Sequence, residues 1–172
     1  LCASVHAGIS TNNYIDPSNE LQREVRALIG HLCGKVVGED ACGADGCSAP
    51  TFAVPIVGMA KAHACLVTGS GLSVDRADSA RRLMSACMAE PQMIADQGRY
   101  CTMLMQAAPQ RLYANTGAEG FYAAALPELG LGIAVKCDDG ATRAAEVTVA
   151  ATLAHLLGKA DPDYEAISAM AR

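Results

Sequence analysis

The sequence predicts an α+β fold: helices first, then a small antiparallel sheet, then a covering helix. Three observations carry that expectation. Apolar residues recur at helical spacing early in the chain, short β-prone runs separated by glycine turns lie between Arg111 and Cys137, and a last apolar stripe runs from Ala145 to Leu156.

Asp16-Pro17 sets the first helix start, because Asp16 can cap and Pro17 suits the first helical position. Leu21, Val25, Leu28 and Leu32 then form one stripe, and Gly34 ends the helix. The stretch 38–48 is rich in glycine and aspartate, has no period, and reads as a compact loop. From Pro50 to Val67 small apolar residues predict a buried helix, stopped by Gly69-Ser70-Gly71. A helix from Asp75 to Met88, stopped by Pro91, and a shorter one over Tyr100 to Ala107 follow. The runs 111–114, 120–125 and 132–137 read as neighbouring antiparallel strands. In the last helix Ala145, Val149, Leu153 and Leu156 share one face, and Gly158 ends it.

With 172 residues, 51% of them apolar, the chain is one domain's worth of sequence with ample material for a core. Its net charge of −5, with no basic run longer than Arg81-Arg82, argues against nucleic acid, which needs clustered positive charge. No apolar run approaches the roughly 18 residues of a membrane span, and no amino-terminal signal pattern is present. The missing initiator methionine at Leu1 is read as an internal position of a longer protein. Eight scattered cysteines without a C-x-x-C pair are read as reduced thiols of a cytoplasmic protein, with Cys65 and Cys87 as core filling.

Three places carry candidate chemistry. Cys2 and His6 lie four apart, a spacing that lets a thiolate and an imidazole reach one metal ion. The Asp45-Gly46-Cys47 loop lets backbone approach a ligand closely, although a tight structural turn explains it equally well. Lys136 closes an apolar strand, where partial burial would disfavour its ammonium form and make it a general base; a strand-end lysine reaching solvent, or pairing with Asp138 or Asp139, is the bland alternative. No Ser-x-x-Lys, no Gly-x-Ser-x-Gly and no phosphate loop occurs.

These features combine into a pattern. The run from Gly43 to Pro55 (Gly-Ala-Asp-Gly-Cys-Ser-Ala-Pro-Thr-Phe-Ala-Val-Pro) resembles the signature loop of the bacterial L-asparaginase II family of the rhizobial type. So do Met105-Gln106-Ala107-Ala108-Pro109, Gly117-Ala118-Glu119-Gly120, and the run 126–140 that carries Lys136. Leu1 to Gly8 matches the family's Leu-Cys-Ser-Gly-Lys-His-Ala-Gly motif in part.

The resemblance implies a fold similar to serine β-lactamases and glutaminases, and a homodimeric amidohydrolase converting L-asparagine to L-aspartate and ammonia. It implies a serine nucleophile from a Ser-x-x-Lys motif lying upstream of this chain, so that residues 1–172 form a single domain, the carboxy-terminal portion of a longer enzyme. Lys136 matches a catalytic lysine. Cys2 and Cys47 match two thiolate ligands of a zinc ion, Asp45 a carboxylate near it, and His6 and Glu119 fall in matching segments near the substrate. The family's motif lysine, which completes the zinc site, is Val5 here; its serine and glycine are Ala3 and Ser4, and a further family lysine is Asn115.

Two other readings compete. Loss of chemistry at Ala3 and Val5 points to a family member that binds without catalysis. A cysteine-based metal or redox protein is the third, and the scatter of the thiols argues against it.

Overall fold

The computed structural model describes residues 1–172 and divides into two compact units, Leu1–Gly58 and Met59–Arg172. Together they hold eight α-helices and two antiparallel sheets, of two and three strands. The predicted α+β class is what forms.

In the first unit, α1 (Cys2–Ala7) ends on Gly8 in the left-handed region. Helix α2 (Glu20–Cys33) begins later than Asp16-Pro17 predicts: the cap is Asn19, whose side chain accepts the Leu21 amide at 3.0 Å. Asp16 instead closes a local turn, accepting the amide (2.8 Å) and hydroxyl (2.7 Å) of Ser18. Gly34, at φ 69°, ends α2 where the sequence places its end.

The buried face of α2 is one residue out of step with its apolar stripe. Gln22, Gly30 and Cys33 are buried, whereas Val25 and Leu28 are 36% and 44% exposed. Two local contacts fix that rotation. The Gln22 amide donates to the Tyr14 carbonyl at 2.7 Å, and Gly58 approaches Cys33 so closely that a Cβ on it would stand 3.0 Å from the Cys33 Cβ.

The glycine-rich stretch is a hairpin rather than a loop. Strands β1 (Cys42–Ala44) and β2 (Pro50–Phe52) pair antiparallel, Cys42 opposite Phe52 and Ala44 opposite Pro50. The predicted helix from Pro50 therefore starts only at Ile56, as α3 (Ile56–Thr68). Its first turn is set by Pro55, whose carbonyl accepts the Gly58 amide at 2.8 Å.

The second unit follows the sequence closely. Helices α4 (Val74–Ala89), α5 (Gln92–Ala95) and α6 (Tyr100–Ala107) lead into strands β3 (Tyr113–Thr116), β4 (Phe121–Leu126) and β5 (Leu131–Lys136), in spatial order β3-β4-β5. Helix α7 (Thr142–Leu157) covers the sheet, and α8 (Tyr164–Ala169), which is too short to show a period, adds fully buried Ile167 to the core. One sheet face presents Ala114, Tyr122, Ala124 and Ile133 to a core with Leu104 and Met105 of α6 and Ala145, Val149 and Leu153 of α7.

No disulfide joins any of the eight cysteines. The most buried are Cys33 and Cys101; Cys65 and Cys87 are only half-buried. No helix is long and apolar enough to cross a membrane.

Candidate active site

Strand register places Lys136. It stands opposite Phe121, and Ala134 stands opposite Ala123, which in turn faces Asn115. Side chains alternate along a strand, so Asn115, Phe121 and Lys136 share one sheet face with Tyr113 and Gly132. Helix α3 covers the Gly132 end of that face. A Cβ at Gly132 would collide with the Ala60 carbonyl and come within 2.5 Å of the Ala64 amide nitrogen, and the His63 ring stacks on Tyr113 at 5.9 Å.

The opposite end, with Lys136, stays open. Lys136 is exposed, and its Nζ donates to the Cys137 carbonyl at 2.5 Å. It makes no ion pair with Asp138 or Asp139, and the partial burial that its strand-end position suggests is absent. Asp139 instead accepts the Ala141 amide at 2.9 Å, just before α7.

Glu119 reaches the same end of the sheet. It occupies the β3–β4 turn at φ 58°, followed by Gly120 at φ 67°. The Gly120 carbonyl accepts the Cys137 amide at 3.0 Å, and a Cβ on Gly120 would stand 2.8 Å from the Gly140 carbonyl carbon. Only glycine permits that approach at that φ. The turn is thereby clamped to the loop after β5, and the Glu119 carboxylate comes to rest beside Gly140. The structure thus gathers Lys136 and Glu119, a cation and a carboxylate, without pairing them.

In the first unit, Asp45 and Cys47 meet within the tight turn between β1 and β2. The Asp45 amide donates to the Ala49 carbonyl and the Ser48 amide to the Asp45 carbonyl, both at 2.9 Å. Ser48 takes φ 67° to close the turn. The Cys47 thiol donates to Asp45 Oδ2 at 3.3 Å. That bond first, and the backbone amides of Gly46 and Cys47 next, hold the Asp45 carboxyl below its ordinary range.

Cys2 and His6 are both exposed on α1. Val5, 71% exposed, offers only an isopropyl group beside them. A catalytic zinc takes three protein ligands and an open position, and nowhere do three or more histidine, cysteine or acidic side chains converge. Asp45 and Cys47 bring two such donors together. Ser4 Oγ is fully buried and has no hydrogen-bond partner.

Sequence reasoning missed two further features of the second unit. His63 on α3 is half-buried, its Nδ1 donating to the Met59 carbonyl at 2.8 Å, and desolvation holds its pKa below the ordinary imidazole value. Helical spacing alone reads that residue as part of an apolar run. Asp96 takes φ 72° and ψ 168°, a region that side chains other than glycine rarely enter. Buried Thr102 fixes it there, donating to the Asp96 carbonyl at 2.6 Å. Asp96 and Arg99 line a depression of about 570 Å³ beside Asn115 and Thr116 of β3, a juxtaposition that no sequence spacing reveals.

The sequence profile of one family, described as L-asparaginase II, matches residues 1–172, the whole of the chain. No curated protein matches it.

Proposed function

The chain belongs to the L-asparaginase II family, a family of asparaginase-type amidohydrolases, and from that premise we propose that it carries part of an active site converting L-asparagine and water to L-aspartate and ammonia. The match along all 172 residues carries this reading. The placement of Lys136 and Glu119 at one open sheet end supports it.

In the proposed reaction a serine hydroxyl attacks the side-chain amide carbon. The Lys136 amine, in its free-base form, takes the hydroxyl proton and returns it to the departing nitrogen, so ammonia leaves and an ester remains. Water then attacks the ester, passes one proton back to the serine oxygen, and releases aspartate. The chain has no Ser-x-x-Lys, so we place the nucleophile in sequence outside these residues. Glu119 orients the substrate or holds the Lys136 ammonium between turns of the cycle. Of the two zinc ligands that the resemblance implies, Cys2 and Cys47, Cys47 bonds the nearby Asp45 carboxylate, and Val5 stands where the family's motif lysine completes that site. The same proposal includes a homodimer and a cytoplasmic, thiol-preserving location, in keeping with eight cysteines and no disulfide.

The test is ammonia release from L-asparagine by the full-length protein containing this chain, alongside its Lys136→Met variant. A rate falling by two or more orders of magnitude in the variant is the expected result, since a positioned base contributes about 10²- to 10⁴-fold. An unchanged rate removes Lys136 from the mechanism.

A second reading, binding without hydrolysis, is favoured by one observation: Lys136 is held by its own neighbour's backbone rather than by another catalytic side chain. Calorimetric binding of L-asparagine by a protein that releases no ammonia would establish it.

A further inference from the structure

The largest concentration of unused positive charge lies in the first unit. Residues 1–58 contain three lysines and arginines, Arg23, Arg26 and Lys35. All three line one groove of about 560 Å³ together with His31. The chain as a whole carries −5, so a surface spread at random would not gather every lysine and arginine of this unit in one groove.

The groove is built by the fold. Arg23, Arg26 and His31 project from one side of α2, and the segment after Gly34 folds back along the helix to form the second wall. That return needs Gly30, since a Cβ there would stand 2.6 Å from the Lys35 carbonyl oxygen and 3.5 Å from the Val37 side chain. The Lys35 amide secures it by donating to the Gly30 carbonyl at 2.9 Å. Val36, 92% exposed, stands on the rim.

Helix electrostatics explain only half of the charge. His31 and Lys35 sit where a helix carboxyl end favours cations. Arg23 and Arg26 lie too far toward the amino end for that effect. Arg26 has one partner, Glu39, at 3.3 Å, and Arg23 and Lys35 have no ion pair.

We propose that this groove is a binding site for a small oxyanion, a carboxylate or a phosphate, held by Arg23, Lys35 and Arg26. Its ligands carry net negative charge, so it distinguishes L-aspartate from neutral L-asparagine. The site stands independently of the amide-hydrolysis reading, because inorganic phosphate probes it without any turnover.

The experiment is a titration of the ¹⁵N-labelled chain with inorganic phosphate at low ionic strength, following backbone amides by NMR. Saturable shifts confined to Arg23–Val37 are expected. Arg23→Gln and Lys35→Gln each weaken binding about fivefold, the worth of one unit charge at contact distance in water. Val36→Asp, at a position too exposed to affect folding, abolishes it. Displacement of phosphate by L-aspartate assigns the site to carboxylates, and failure of aspartate to compete assigns it to phosphates. Shifts that do not saturate, or an affinity unchanged in all three variants, overturn the proposal.

Discussion

Ser4 shows how one atom sets a local energy. Its hydroxyl is fully buried on α1 and has no partner, and a buried unsatisfied hydroxyl costs about 1–3 kcal/mol. Ser4→Ala removes the cost and keeps the backbone, so denaturant unfolding should report a gain of about 1 kcal/mol. A loss of that size would mean that the hydroxyl is satisfied in solution. Val5, one residue on, has the opposite character: exposed and chemically inert, at the position where the family motif carries lysine. The chain should retain well under one zinc per molecule after dialysis, by metal analysis. Val5→Lys should raise that content if Cys2 and Cys47 can converge on one ion. The sequence alone exposes both residues, because a motif compares residue types position by position. It leaves Lys136 open between a partly buried base and a strand-end lysine reaching solvent, and the exposed side chain meets the second, since strand-end burial depends on what packs over the strand.

Among the elements, legibility follows the strength of the local signal. Helix α6 and the strands β3 to β5 are placed within about two residues by their patterns, because glycine turns and apolar runs act locally there. Helix α2 ends where Gly34 predicts, yet its buried face is shifted by one residue, because Gln22 finds a backbone partner and Gly58 selects Cys33 as its contact. The β1–β2 hairpin escapes a reading based on composition, since three-residue strands have no measurable period and Asp45-Gly46 reads as loop. Gly132 gives the sharpest element-level test. It is the gap through which α3 meets β5, and Gly132→Ala would drive a methyl group into the Ala60 carbonyl. Backbone cannot yield as a flexible side chain can. The variant should lose about 3 kcal/mol, at the upper end of the overpacking range, by denaturant unfolding; a loss under 1 kcal/mol would show that α3 is free to slide. His63 on the same helix gives a pH signature. Its folded-state pKa is lowered by burial, so its contribution to stability is complete above the unfolded value of about 6.5 and is lost as pH falls below it. His63→Gln should flatten the stability profile between about pH 7 and 5.

At the scale of the whole molecule, the second unit is closed by one residue that the sequence does not single out. Arg111, just before β3, pairs with Glu128 after β4 (2.9 Å), with Asp161 (2.8 Å), and with Asp163, the last two in the connection from α7 to α8. One guanidinium therefore ties the sheet to the carboxy-terminal helices, which supply Val149, Leu153 and Ile167 to the core. The pairing with Arg111 holds the Glu128 and Asp161 carboxyls below their ordinary range. A depressed carboxylate pKa stabilises the fold above the unfolded value near 4, and that contribution disappears as pH falls through the folded-state value. Arg111→Ala should accordingly lower the thermal midpoint most at neutral pH, by roughly 4–8 °C for each kcal/mol lost in a unit of this size. The gap from the parent should stay constant down to about pH 4 and narrow below it as the carboxylates protonate. Glu128 is largely exposed, so its share should also fall with added salt, while the Asp161 share, better sheltered from solvent, persists. A gap independent of pH between 7 and 3 would mean that Arg111 acts through the packing of its aliphatic stem and not through its charge.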